Sequence, residues 1–176
     1  IPSSPHQGIA GDFELNRLEK SIKKCTIELD SIRKRVLKQI GKAESEIFTA
    51  QRQILNDPQI VTSIKKLIKK ERKNAEYAVS EVLSKFENKL AALDNQYMSD
   101  RAYDIDELRI KLLNMLTETR PVLTCTDQKD CSKAKNRIVV SEVLTVDMIV
   151  HMKIADVAGF ITEKGGSTSH AAIIAR

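Results

Sequence analysis

Val157-Ala158-Gly159-Phe160-Ile161-Thr162-Glu163-Lys164-Gly165-Gly166-Ser167-Thr168-Ser169-His170-Ala171-Ala172-Ile173-Ile174-Ala175-Arg176 joins an apolar run, a glycine- and hydroxyl-rich turn and an Ala/Ile-rich segment. The order predicts a buried strand over 157–162, then a turn, then a helix with Ser169 as its N-cap and His170 in its first turn. A strand, turn and helix in that order belong to an α/β unit. The junction also suits an anion. Free N–H groups and the positive end of the helix dipole converge at a helix start, and Gly165 and Gly166 let the backbone approach a phosphoryl oxygen without an intervening Cβ. The same field disfavours imidazolium and leaves His170 neutral, the form in which a ring nitrogen attacks phosphorus. Turn chemistry alone also accounts for two glycines and a serine before a helix. From these residues, a capped loop with a hydrogen-bonding His170 stands beside a phosphohistidine.

The pattern upstream is helical. From Phe13 onward, Leu15, Leu18, Ile22, Cys25, Leu29, Ile32 and Val36 recur at steps of three and four, one apolar stripe that Gly41 ends. A second helix covers about Ala43 to Leu55, and Asp57-Pro58 supplies an N-cap and first-turn proline for a third, with Ile60, Ile64 and Leu67 on its buried face. Ala75, Val79, Val82, Phe86, Leu90 and Leu93 mark a fourth, with Tyr97 near its end. A fifth opens near Ser99 or Asp100 and carries Ile105, Leu108, Leu112 and Leu116. Short connections between long helices imply antiparallel neighbours. Residues 118–137 read as a connection, Ile138 to Ser141 as a short β-rich run, and Thr145 as the cap of a helix through Met152. The fold class is therefore α+β. Residues 1–12 are a Pro/Gly/Ser-rich linker or degraded first strand, 13–117 a helical bundle, and 138–176 a partial α/β domain that the bundle precedes or is inserted into. Periodicity alone also suits a coiled-coil adaptor.

Composition narrows the function classes. No run of 18 apolar residues and no charged-then-apolar leader is present, so neither a membrane span nor a secretory signal is expected. Cys25, Cys125 and Cys131 form an odd count at spacings that match no zinc pattern, which points to reduced thiols and a cytoplasmic setting. The net charge of +5 raises nucleic acid as a partner, yet acids are interleaved with the bases and aromatics are only 4% of residues. Solvated helix faces explain that charge better. His6, His151 and His170 show no metal-ligand spacing, so no metal site is expected within the chain.

Residues 165–176 follow Gly-Gly-x-Thr-Ser-His-x-Ala-Ile-x-Ala-Arg, which resembles the signature around the phosphorylated histidine of phosphoenolpyruvate-utilising enzymes. That family includes enzyme I of the sugar phosphotransferase system, pyruvate phosphate dikinase and phosphoenolpyruvate synthase. The upstream sequence selects the branch. Glu46-Ile47-Phe48-Thr49-Ala50-Gln51-Arg52-Gln53-Ile54-Leu55-Asn56-Asp57-Pro58 is similar to the enzyme I helix that ends in a Leu-x-Asp-Pro-type turn. Ala102-x-Asp104-Ile105-x-Glu107 follows the Arg-Ala-x-Asp pattern of its last long helix, and Ile138-Val139-Val140-Ser141-Glu142-Val143-Leu144-Thr145 resembles the strand leading back into the α/β part. The chain thus resembles the amino-terminal region of an enzyme I. Two readings of other scope are the enzyme I-like segment of a multiphosphoryl protein serving a dihydroxyacetone kinase, and a non-catalytic helical interaction module.

The resemblance implies that His170 receives a phosphoryl group on a swivelling domain and passes it to the histidine of an HPr-type phosphocarrier protein. Gly165, Gly166, Thr168, Ser169 and Arg176 would stabilise the phosphoryl oxygens. The second and third helices would dock the carrier through Phe48, Ile54, Leu55 and Ile60, apolar residues expected to stand exposed at a helix break, and through Gln51, with Arg101 meeting the carrier from the fifth. On the carrier side three positions depart from the pattern: Asp106 stands where arginine is common, and Lys42 and Ala43 where acids are common. Ile149 takes the place of a threonine near the active histidine, with Thr168 and His151 as possible substitutes. The resemblance also implies a carboxy-terminal domain outside these residues that binds phosphoenolpyruvate and Mg2+ and supports dimerisation. The expectation is that residues 1–176 alone take no phosphate from phosphoenolpyruvate.

Overall fold

The computed structural model describes residues 11–93, 96–118, 136–144, 148–149, 157–164 and 170–175. Helices α1 (Gly11–Gln39), α2 (Lys42–Leu55), α3 (Pro58–Glu71), α4 (Ala75–Ala91) and α5 (Gln96–Thr117) are followed by strands β1 (Ile138–Val143) and β2 (Gly159–Lys164) and helix α6 (His170–Ala175). The chain packs as two compact units, 1–31 with 47–120, and 32–46 with 121–176. The tip of the α1–α2 hairpin, which periodicity assigns to the bundle, thus belongs to the second unit.

The buried positions of α1 are Glu14, Leu18, Ser21, Cys25, Leu29, Ile32 and Val36, a strict run of steps of three and four. Leu15 and Ile22, expected in that stripe, lie at its margin and are half-buried. The helix begins two residues before Phe13, which is exposed. Its C-terminus closes where Ile40 and Gly41 both donate to the Val36 carbonyl, at 2.8 and 3.1 Å. A Cβ at Gly41 would come within 3.0 Å of the Glu44 carboxylate.

Glu14 is 1% exposed, and its environment explains how a charge survives there. One oxygen accepts from Arg17 at 2.9 Å and the other from the Ala75 N–H at 2.7 Å, one of the orphan donors at the start of α4. Arg17 also pairs with Glu76 and donates to the Leu116 carbonyl at 3.0 Å. One ion cluster thereby ties the first turns of α1 and α4 to the end of α5. Lys111 and Glu28, 2.5 Å apart, make a second tie between α5 and α1.

The Asp57-Pro58 break folds as read. Asp57 accepts from the N–H groups of Gln59 and Ile60 at 2.8 and 3.1 Å, and Pro58 opens α3. Ile64 and Ile68 are its buried residues, whereas Ile60 and Leu67 are half-buried. In α4 the core face is Ala75, Ala78, Val79 and Leu83 rather than the Val82, Phe86, Leu90 and Leu93 phase. Leu93 lies beyond the helix and is 47% exposed. Tyr97 lies in the first turn of α5, which opens at Gln96, before the expected Ser99 or Asp100. Ile105, Leu108, Leu112 and Leu116 of α5 are buried as the spacing predicts, with Ala102 and Leu113 beside them.

In the second unit β1 and β2 pair in parallel, with Ile138 opposite Gly159 and Val140 opposite Ile161. The pairing extends to Ala158, whose N–H donates to the Arg137 carbonyl at 3.0 Å. The strand starts at Gly159, so Val157 and Ala158 precede it. Ile138, Val140 and Ile161 share one face and are each more than half exposed, which corrects the expectation of a buried strand. Alternation puts the half-buried Val139, Ser141 and Phe160 on the opposite face. Met148 and Ile149 are helical, and Ile149 is fully buried. Thr145, His151, Cys125 and Cys131 lie outside the described residues.

Candidate functional site

The junction that the sequence assigns to His170 begins at β2. Alternation of Phe160 and Ile161 in a parallel pair holds the strand to Lys164, and α6 opens at His170. The catalytic candidate is therefore the first helical residue after a strand, the position the Gly-Gly-Ser-Thr-Ser run predicts. Ala171, next in the helix, is 4% exposed, so α6 is anchored from its first turn. Gly165, Gly166, Thr168, Ser169 and Arg176, given to the phosphoryl oxygens, lie outside the described residues. Ile149, which replaces a threonine, is a core residue of this unit.

A separate candidate surface, in the first unit, is the α2–α3 break with the start of α5. The expected exposed apolar cluster is corrected here for half its members. Phe48 and Leu55 are each 3% exposed, because the face of α2 that carries them is the one that packs into the bundle. Ile54 and Ile60 are half-buried and hold the accessible apolar surface of the break. Gln51, also 3% exposed, turns inward, and its Nε2 donates to the Asp104 carbonyl at 3.3 Å. The Asp104 carboxylate in turn accepts from Nη1 of Arg101 at 3.0 Å. Gln51, Asp104 and Arg101 thus form a chain from the core of α2 to the partly open guanidinium on α5. Asp104 was legible only as part of the Arg-Ala-x-Asp run; the signal for its role is the i, i+3 spacing to Arg101.

Charge around this surface is mixed. Asp106, where arginine is common, pairs with Arg109 one turn on. Partial burial, with Asp106 nearby, pushes the Glu87 carboxyl above the usual carboxylate range, against the opposing pull of Arg109. Lys42 and Ala43, at the start of α2, are exposed. Among the described residues no three His, Cys, Asp or Glu side chains converge as metal ligands, and no helix is long and apolar enough to cross a membrane.

The chain is similar to known proteins over most of its length. Residues 3–101 match the family described as PEP-utilising enzyme, N-terminal, and residues 133–176 match PEP-utilising enzyme, mobile domain. The phosphoenolpyruvate-protein phosphotransferase of Geobacillus stearothermophilus is 35% identical over 165 residues, which cover 94% of this chain and 28% of that protein. The chain therefore spans less than a third of the length of such relatives. A solution NMR structure of an Enzyme I protein superposes with a TM-score of 0.77 at 27% identity, over 100% of this chain and 70% of that one. A structure described as the N-terminal domain of Enzyme 1 - Nitrogen superposes with a TM-score of 0.72 at 22% identity, over 98% of this chain and 68% of that one, a likeness of fold.

Proposed function

The chain belongs to the PEP-utilising enzyme family, and from that premise we propose that His170 carries a phosphoryl group between phosphoenolpyruvate and the histidine of an HPr-type phosphocarrier in sugar uptake. The observation that carries this reading is the Gly-Gly-Ser-Thr-Ser-His run, with β2 ending at Lys164 and His170 opening α6, inside the segment that matches the mobile domain.

The chemistry is in-line displacement at phosphorus. A neutral His170 ring attacks through Nε2, the P–N bond forms as the P–O bond of phosphoenolpyruvate breaks, and the departing enolate takes up a proton. In the second half, the carrier's imidazole attacks the phosphohistidine and the His170 ring leaves. Such transfers need positioning and charge stabilisation more than covalent assistance. Gly165, Gly166 and the N–H groups after Ser169 would receive the equatorial oxygens, with Thr168 donating a hydroxyl hydrogen bond and Arg176 supplying countercharge. A magnesium ion would supply charge neutralisation at phosphoenolpyruvate. It falls, in this proposal, to a carboxy-terminal domain that also dimerises the whole protein, and no described residue group fits it.

The carrier is assigned to the α2–α3 break. Ile54 and Ile60 would give apolar contact, and Arg101, oriented by Asp104, a charged one. Phe48, Gln51 and Leu55 would shape that surface from beneath. The whole protein would work in the cytoplasm, where phosphoenolpyruvate is available. Incubation with phosphorylated HPr-type carrier tests the reading: transfer of acid-labile, alkali-stable phosphate to this chain is expected. Carrier binding without any transfer would leave an interaction module instead.

A further inference from the structure

We draw no further inference here: the strongest candidate, the apolar face of the β1–β2 sheet on which Ile138, Val140 and Ile161 stand more than half exposed, carries nothing because nothing in the structure shows what covers it.

Discussion

The side-chain amide of Gln51 donates to the main-chain carbonyl of Asp104 across 3.3 Å, fastening the core of α2 to the turn of α5 that also holds Arg101. A residue that the sequence assigns to partner contact is thus a strut beneath it. Gln51→Ala is expected to lower stability by about 1 to 2 kcal/mol, the cost of a lost buried hydrogen bond, measured by urea unfolding. It should also weaken carrier binding, because Arg101 loses its fixed platform.

Arg101→Ala should separate these effects. Its pair with Asp104 is partly open to solvent, so stability falls by no more than about 1 kcal/mol. Carrier affinity, read by titration calorimetry, should fall about tenfold, the scale of one desolvated charged contact. Equal losses of affinity for Arg101→Ala and a distant surface variant would remove Arg101 from the docking surface.

Phe48 and Ile54 make a second contrast. Phe48 is 3% exposed, and Phe48→Ala should cost about 3 to 5 kcal/mol of stability through a cavity. Ile54→Ser, at a half-buried site, should cost less stability and more affinity for the carrier. Thermal melts and carrier titrations on both variants check the ordering.

Glu14→Ala should be among the most damaging single changes in the bundle. It strips Arg17 of a partner at 2.9 Å and leaves the Ala75 N–H without its acceptor at 2.7 Å. A loss of about 3 kcal/mol is expected from a broken buried ion network, with Glu14→Gln recovering part of it.

Glu87 gives a pH signature. Its carboxyl is raised, by burial first and Asp106 second, so the folded chain binds this proton more tightly than the unfolded one. Its contribution to stability is then largest in acid and declines as pH rises through the carboxylate range. Glu87→Gln should flatten that part of the stability-pH curve and raise stability at neutral pH by about 0.5 kcal/mol, a solvent-screened effect. Urea midpoints between mildly acidic and neutral pH check the sign.

Much of this was legible in the residues, and the gaps have physical causes. The α1 seam shows in Leu18, Cys25, Leu29, Ile32 and Val36, yet Glu14 and Ser21 complete it and no apolar count finds them. The burial of Glu14 depends on Arg17 and on the Ala75 N–H of another helix. In α4, Val79 and Leu83 compete with Val82 and Phe86 for the inward face, and only packing against α3 and α5 chooses between them. The same dependence hid Phe48 and Leu55, since a helix break with apolar residues looks alike whether its neighbours cover it or not. Asp57-Pro58 was readable because a cap and a proline act within a few residues of themselves.

His170 is the residue proposed to carry the phosphate. After exchange with phosphorylated HPr-type carrier, fragmentation mass spectrometry that preserves the P–N bond should place the phosphoryl group on His170, and His170→Ala should carry none. Phosphate located on another residue, or an equal load on His170→Ala, would contradict the account.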